Sequence, residues 1–219
     1  MDEFLKTVPE ADSPVRALVI EPLFGEGILS IRNYFRKLRR EVAIDAVVTD
    51  VRYLEDVRSM TDRIVQTDTL DHLADEVHEH YDLIIAAAQL NDLLICDILS
   101  FFQICHERLR PHGFVYASLH NYNSFEHTME SLPNQIPYLV YEPLDGRRIY
   151  PTTRFVAALR ERFTEPSVQI GYVTGGQVFN GMESFAERVY AALGTPENDR
   201  AYLRQFLSGN SVIFHIRAI

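Results

Sequence analysis

The residues best placed to do chemistry stand in the stretch Glu21-Pro22-Leu23-Phe24-Gly25-Glu26-Gly27, between an apolar run and an amphipathic one. Gly25 and Gly27 let a backbone approach a ligand closely, and a helix opening here turns free N–H groups toward a carboxylate or phosphate. Two glycines in a strand-to-helix turn also arise for steric reasons alone, so this spacing by itself is a weak signal. Further along, His120 can accept a proton near neutral pH, with Asn121 beside it as a positioning group. A solvated loop histidine is the plainer alternative.

Other clusters carry less. In "HLADEVHEH", His72 and His80 are eight apart with His78 off their face, and only Glu76 and His80 have i, i+4 spacing. That pattern fits a solvated helix face better than a metal site. Cys96 and Cys105 are the only cysteines and match no metal or redox spacing, so buried reduced thiols are expected. Tyr122, Phe125, Tyr138, Tyr141 and Tyr150 could stack on a sugar or another flat substrate, whereas Tyr116 in a strand is expected in the core.

The elements that must position these groups alternate between short apolar strands and helical stretches, the pattern of an α/β domain with a mainly parallel sheet. Strands are expected at 15–21, 42–48, 63–66, 82–88, 114–119, 167–173 and 211–218. The first is continuously apolar, as a strand buried on both faces should be. Helical patterns cover 26–39, 51–60, 69–80, 91–108, 152–163, 182–193 and 197–207, the fourth stopped by Pro111 and Gly113. In 26–39, Ile28, Ile31, Tyr34, Phe35 and Leu38 recur at helical spacing. Residues 1–14 read as an N-terminal extension, 120–150 as a loop or lid, and 1–219 as a single domain.

Composition narrows the function classes. A chain of 219 residues with 47% hydrophobic and 24% charged residues reads as an ordinary soluble globular protein. No apolar run approaches the roughly 20 residues of a membrane-spanning helix, and "MDEFLKTVPEADSP" lacks the basic start and apolar middle of a signal peptide, so a cytoplasmic location is expected. A net charge of −10 repels phosphate backbones and weighs against a nucleic-acid partner. The basic run "RKLRR", Arg36 to Arg40, is expected to complement the dipole at a helix end and to face water.

Residues 15–125 resemble a class I S-adenosylmethionine-dependent methyltransferase, of the type associated with bacterial glycan and O-antigen biosynthesis. "EPLFGEG" resembles the family turn E/D-x-G-x-G-x-G with Leu23 at the first glycine, and "DRIVQTD" resembles its third-strand element. "YDLIIAAAQLNDL" resembles the fourth-strand signature, with Ala88-Gln89-Leu90-Asn91-Asp92 in place of Asp-Val-Leu-Glu-His. "LRPHGFVYASLHN" resembles the fifth-strand element, and "DGRRIYPTTRFVAAL" and "SVIFHIRAI" resemble the closing segments.

The resemblance implies a Rossmann-like fold: a mainly parallel seven-stranded sheet with an antiparallel last strand and helices on both faces. It implies S-adenosylmethionine as cofactor, with Glu21, Leu23, Gly25, Gly27 and Gln89 around it, Asp50 on the ribose (Asp45 as rival) and Asp68 beside the adenine. The implied partner is a small-molecule or glycan acceptor. Attack on the methyl group asks mainly for alignment and exclusion of water, and a hydroxyl acceptor also needs a base, for which His120 is the candidate and Asp92 a lesser one. Leu23 and the altered fourth-strand signature motivate an alternative, a catalytically degenerate relative acting as an interaction or scaffold module, either as a homo-oligomer or beside a partner enzyme. A Rossmann dehydrogenase fits less well, because the three-glycine spacing is missing.

Overall fold

A computed structural model of the chain describes residues 8, 14–88, 90, 93, 95, 97–120, 152–163, 168–174, 188, 191, 192, 194, 196 and 209–218. Gln89, Asn91, Asp92, Cys96 and Asn121 lie outside the described residues, as do the expected lid over 121–150 with its aromatics and most of the helices expected at 182–193 and 197–207.

In chain order the elements are β1 (Val15–Ile20), α1 (Glu26–Lys37), β2 (Val42–Val48), a 3-10 turn (Val51–Tyr53) running into α2 (Leu54–Arg58), and β3 (Arg63–Gln66). A second 3-10 turn (Leu70–His72) runs into α3 (Leu73–Glu76), followed by β4 (Tyr81–Ala86), α4 (Ile98–Glu107), β5 (Leu109–His120), α5 (Thr152–Arg162), β6 (Val168–Thr174) and β7 (Gly209–Arg217). The strands form one seven-stranded sheet in the order β3-β2-β1-β4-β5-β7-β6. All pairs from β3 through β5 are parallel, and β7 runs antiparallel to both β5 and β6. Chain order reverses between β1 and β4, which makes their carboxyl ends the switch point where ligands of such sheets collect.

Burial explains the continuous apolar strands. Val15, Ala17 and Val19 of β1 face one way and join Ile28, Ile31 and Phe35 of α1 and Val57 of α2. Leu18 and Ile20 face the other way and join Phe101, Phe102 and Cys105 of α4 and Phe155 and Leu159 of α5. Because side chains alternate along a strand, covering both faces calls for apolar residues at successive positions, as from Ala17 to Ile20. The helix positions follow the same logic: Ile28, Ile31 and Phe35 are fully buried on one stripe, while Leu38, past the helix end, is exposed. Burying a side chain such as Phe35 contributes roughly 1.5–3 kcal/mol.

Several expected boundaries move, each for a local reason. The helix expected over 91–108 begins at Ile98, because the Asp97 carboxylate accepts from the Leu99 and Ser100 N–H groups and from the Ser100 hydroxyl, capping the helix there. α3 stops at Glu76, so Glu76 and His80 do not share a helix and the i, i+4 pair dissolves. β5 starts at Leu109, earlier than expected, by passing Arg110, Pro111, His112 and Gly113 through a register shift against Tyr81 and Leu83. His112 is left-handed there at φ 64°. Cys105 is buried, and burial pushes its thiol far above the ordinary range, leaving an unreactive group. Among the described residues, no helix is long and apolar enough to cross a membrane.

The amino-terminal half of the sheet holds a polar network that corrects one expectation. Asp45 does not reach the carboxyl end of β2. It lies opposite Leu18 and Arg63, is buried, accepts from the Tyr81 hydroxyl at 2.8 Å, and has Arg16 at 3.5 Å. It is a structural anchor in the middle of β2, three residues short of the strand's carboxyl end.

Gly113 fits this bulge for a steric reason. An added Cβ would stand 2.9 Å from the carbonyl oxygens of Arg110 and Tyr81 and 3.1 Å from that of Asp82. Backbone atoms cannot give way cheaply, so Gly113→Ala is expected to destabilise the fold by about 1–3 kcal/mol. Urea unfolding with an unchanged slope and a lowered midpoint is the expected result, and an unshifted midpoint would contradict the clash.

Candidate functional site

The polypeptide leaves β1 through a tight turn whose backbone is unusual at three positions. Glu21 has φ 50°, Leu23 φ 53° and Gly25 φ 83°. The turn closes through the Gly25 N–H donating to the Pro22 carbonyl at 2.9 Å, and α1 begins with the Leu29 N–H donating to the Gly25 carbonyl at 3.0 Å. Left-handed backbone is natural for glycine and costs a branched residue on the order of 1–3 kcal/mol. Leu23 therefore stands in a backbone conformation suited to glycine.

The glycines of this turn have different reasons to be there. A Cβ on Gly25 would approach the Met60 sulfur to 2.6 Å, which that flexible side chain can relieve by shifting, so the φ of 83° is the stronger reason for glycine here. At Gly27 an added Cβ would stand 3.7 Å from the Ala87 Cβ, an ordinary contact. Gly27 is not required by the fold, and its missing side chain keeps a gap open between α1 and the end of β4.

That gap is part of a cavity of about 390 Å³. Leu23, Phe24 and Gly27 form one wall, and Ala86, Ala87 and Tyr116 form the other, with Glu26, Ser30 and Ser118 as polar groups. Its size falls within the ordinary range of small-molecule sites, and it occupies the switch point. Leu23 is 37% exposed and does not fill the hollow; Phe24 is 65% exposed and packs edge-on against Tyr53 at 5.1 Å.

Tyr116, Ser118 and His120 alternate along β5 and share one face. Tyr116, expected in the core, is half-buried and borders the cavity as well as packing on the apolar cluster, and burial holds its phenol above the ordinary value. It stays protonated at neutral pH. His120 is half-buried one step beyond Ser118 and is not among the described residues that border the cavity. Glu26, Ser30 and Ser118 were not anticipated from sequence. Ser118 is placed by the pairing of β5 beside β4, and Glu26 and Ser30 by α1 crossing the end of β4, neither of which any local pattern reports.

The acidic residues lie across the β1 turn from this cavity, at the tips of β1, β2 and β3. Glu21 is 5% exposed and accepts from the Thr49 N–H at 2.6 Å, which ties the tips of β1 and β2 together. Burial pushes its carboxyl above the ordinary range, the Thr49 hydrogen bond opposes that, and the nearby Asp50 charge adds to it. Asp50 accepts from the Arg52 N–H at 3.0 Å and is chelated by the Arg52 guanidinium, which holds it below the usual carboxylate range. Asp68 is exposed two residues past β3. The fold thus places Glu21 beside Asp50, leaves Asp68 at the next tip, and removes Asp45 from the group. Among the described residues, no group of three or more His, Cys, Asp or Glu is placed to hold a metal ion.

Solved structures that superpose on this chain include S-adenosylmethionine-dependent methyltransferases. An enzyme of that description from Archaeoglobus fulgidus superposes with a TM-score of 0.63 at 12% identity, covering 98% of this chain and 90% of its own. One from Mesorhizobium loti gives 0.58 at 12% identity, covering 98% and 96%. The plantazolicin methyltransferase BpumL, solved in complex with S-adenosylhomocysteine, gives 0.57 at 14% identity, covering 100% and 80%. No protein-family model matches the sequence, and no curated protein matches it at a significant level. The fold is that of the class I S-adenosylmethionine-dependent methyltransferases.

Two outcomes test this local account. A carboxyl whose folded pKa is raised destabilises the fold once ionised. Wild-type stability should therefore fall as pH rises from the ordinary glutamate range through the raised value, and Glu21→Gln should lack that fall. Thermal melts across pH 4 to 8, on the order of one unit apart, would show parallel curves if the account is wrong. Leu23→Gly should leave stability within about 1 kcal/mol, because relief of backbone strain offsets the entropy glycine adds to the unfolded chain. A loss of several times that in chemical denaturation would mean that Leu23 is a packing residue.

Proposed function

We propose that the protein is an S-adenosylmethionine-dependent methyltransferase acting on a small-molecule or glycan acceptor. The observation that carries this is the open cavity at the switch point, bounded by a first-strand turn that keeps glycine-like backbone at Leu23. The chain's own groups fit such a cofactor. Gly27 leaves room between α1 and Ala87 that the fold itself does not need. Glu21, Asp50 and Asp68 supply negative charge at the strand tips, suited to a cationic ligand with a diol. Asp50 would receive hydroxyls by exchanging Arg52, whose side chain is 79% exposed and moves at little cost.

The cofactor, when bound, supplies an electrophilic methyl group. The protein's part is to hold and align the reactants and to keep water out. Leu23, Phe24 and Tyr116 provide the apolar surface that excludes water. His120, on the cavity-facing side of β5, is the group we assign to take the acceptor's proton, with Asn121 assigned to positioning and Gln89 to the cofactor. A single domain working in the cytoplasm, with an acceptor of the kind used in glycan biosynthesis, completes the proposal; the support for the glycan part is the motif resemblance alone.

Calorimetry with S-adenosylmethionine and S-adenosylhomocysteine tests it. Binding of either is expected, with Gly27→Ala weakening it about tenfold, the equivalent of about 1.4 kcal/mol, while leaving the melting temperature unchanged or higher, since alanine favours helix. Absence of heat and of thermal shift with both ligands at roughly millimolar concentration, a weak-binding limit near −4 kcal/mol, would exclude the methyltransferase assignment and return the scaffold alternative.

A further inference from the structure

At the opposite end of the sheet, where β1 and β2 begin, lies a second concavity of about 610 Å³. It is bordered by Arg32, Arg36, Arg39 and Arg40, against two carboxylates, Glu41 and Asp62. We propose that this concavity binds a small phosphorylated anion.

Helix-dipole complementarity explains part of the basic run, Arg36 and Lys37, which lie in the last turn of α1. Arg39 and Arg40 come after the helix, and Arg32 comes a turn earlier, yet all border the same hollow. Three of the four guanidinium groups are held in place. Arg32 donates to the Met60 carbonyl at 2.8 Å and pairs with Asp62 at 3.0 Å. Arg36 donates to the Asn33 side-chain oxygen at 2.8 Å, a neutral partner that orients the group without cancelling its charge. Arg40 lies over the Phe35 ring, 5.5 Å from its centroid.

Arg39 is the most telling position. Its backbone is left-handed, at φ 54°, with its N–H donating to the Arg36 carbonyl at 3.0 Å. Glycine or asparagine ends a helix in this conformation at lower cost. Here an exposed arginine occupies it and brings a further cation to the rim.

The chemistry of the ligand follows from the lining. Planar guanidinium groups present paired donors that match phosphate oxygens. Among the described residues four arginines stand against two carboxylates, an excess of positive charge on a chain whose net charge is −10. Pro14, Val42 and Ala43 add an uncharged wall, and the volume exceeds what a bare ion needs. A phosphate on a compact carbon body suits both. A polymeric nucleic acid does not, because a chain of net charge −10 repels an extended phosphate backbone.

The test uses the intact protein with pyrophosphate and fructose 1,6-bisphosphate as probes, neither of which carries an adenosyl group. Calorimetry should show binding of both with Kd below about 1 mM and no heat with fructose. Because Arg36 and Arg39 are exposed, Arg36→Gln/Arg39→Gln should keep the circular dichroism spectrum while weakening binding about tenfold or more. S-adenosylmethionine titrations should be unaffected by saturating pyrophosphate, so this proposal and the methyltransferase assignment can fail separately. Three results would overturn it: no binding at about ten times that concentration, affinity retained by the double variant, or competition between pyrophosphate and S-adenosylmethionine.

Discussion

The geometry of the site depends on how the chain leaves β1. Between Glu21 and Gly25, three of five residues adopt positive φ, and two of them carry side chains that disfavour it. Such a bend persists only where its surroundings fix it. Here they do so through the Glu21 N–H on the Val47 carbonyl at 2.9 Å, the Glu21 carboxylate on Thr49, and the Pro22-to-Gly25 closure. The bend aims the first turn of α1 at the end of β4 and leaves the hollow between them.

The sheet supplies the rest of the constraint. Both faces of β1 are buried, so a one-residue slip of its pairing would exchange Val19 for Ile20 between the two apolar clusters and displace the turn with them. The Arg16, Asp45 and Tyr81 network fixes register from the amino-terminal side. Breaking a buried polar pair of this kind by removing one partner is costly, because the other is left without its hydrogen bond. One end of the sheet is thereby locked by polar contacts, and ligand-accessible space remains at the tips.

Side-chain identity and backbone conformation carry different information at Leu23. A leucine at a glycine position reads, in sequence, as loss of the cofactor turn. In the structure the backbone at that residue still lies where glycine would, and the side chain forms part of a wall while the hollow stays open. Gly25 and Gly27 look equivalent in the sequence, yet one is favoured by its left-handed backbone and the other by nothing in the fold.

The strands, their approximate bounds and the apolar stripe of α1 were legible in the sequence, because period-two and period-3.6 burial leave a direct mark on residue order. Ile28, Ile31 and Phe35 are buried as their spacing requires. The start of α4 was not legible, because the apolar run continues through Leu93 and Ile95 and only the Asp97 cap marks the boundary. The choice between Asp45 and Asp50 rested on where β2 ends, and that is set by pairing with β1 and β3. The cavity itself, with Glu26, Ser30 and Ser118, depended on β5 lying beside β4 and on α1 crossing the end of β4. Local periodicity fixes which face of an element is buried. Which distant elements meet across a gap is decided by long-range packing, and no local pattern in the chain encodes it.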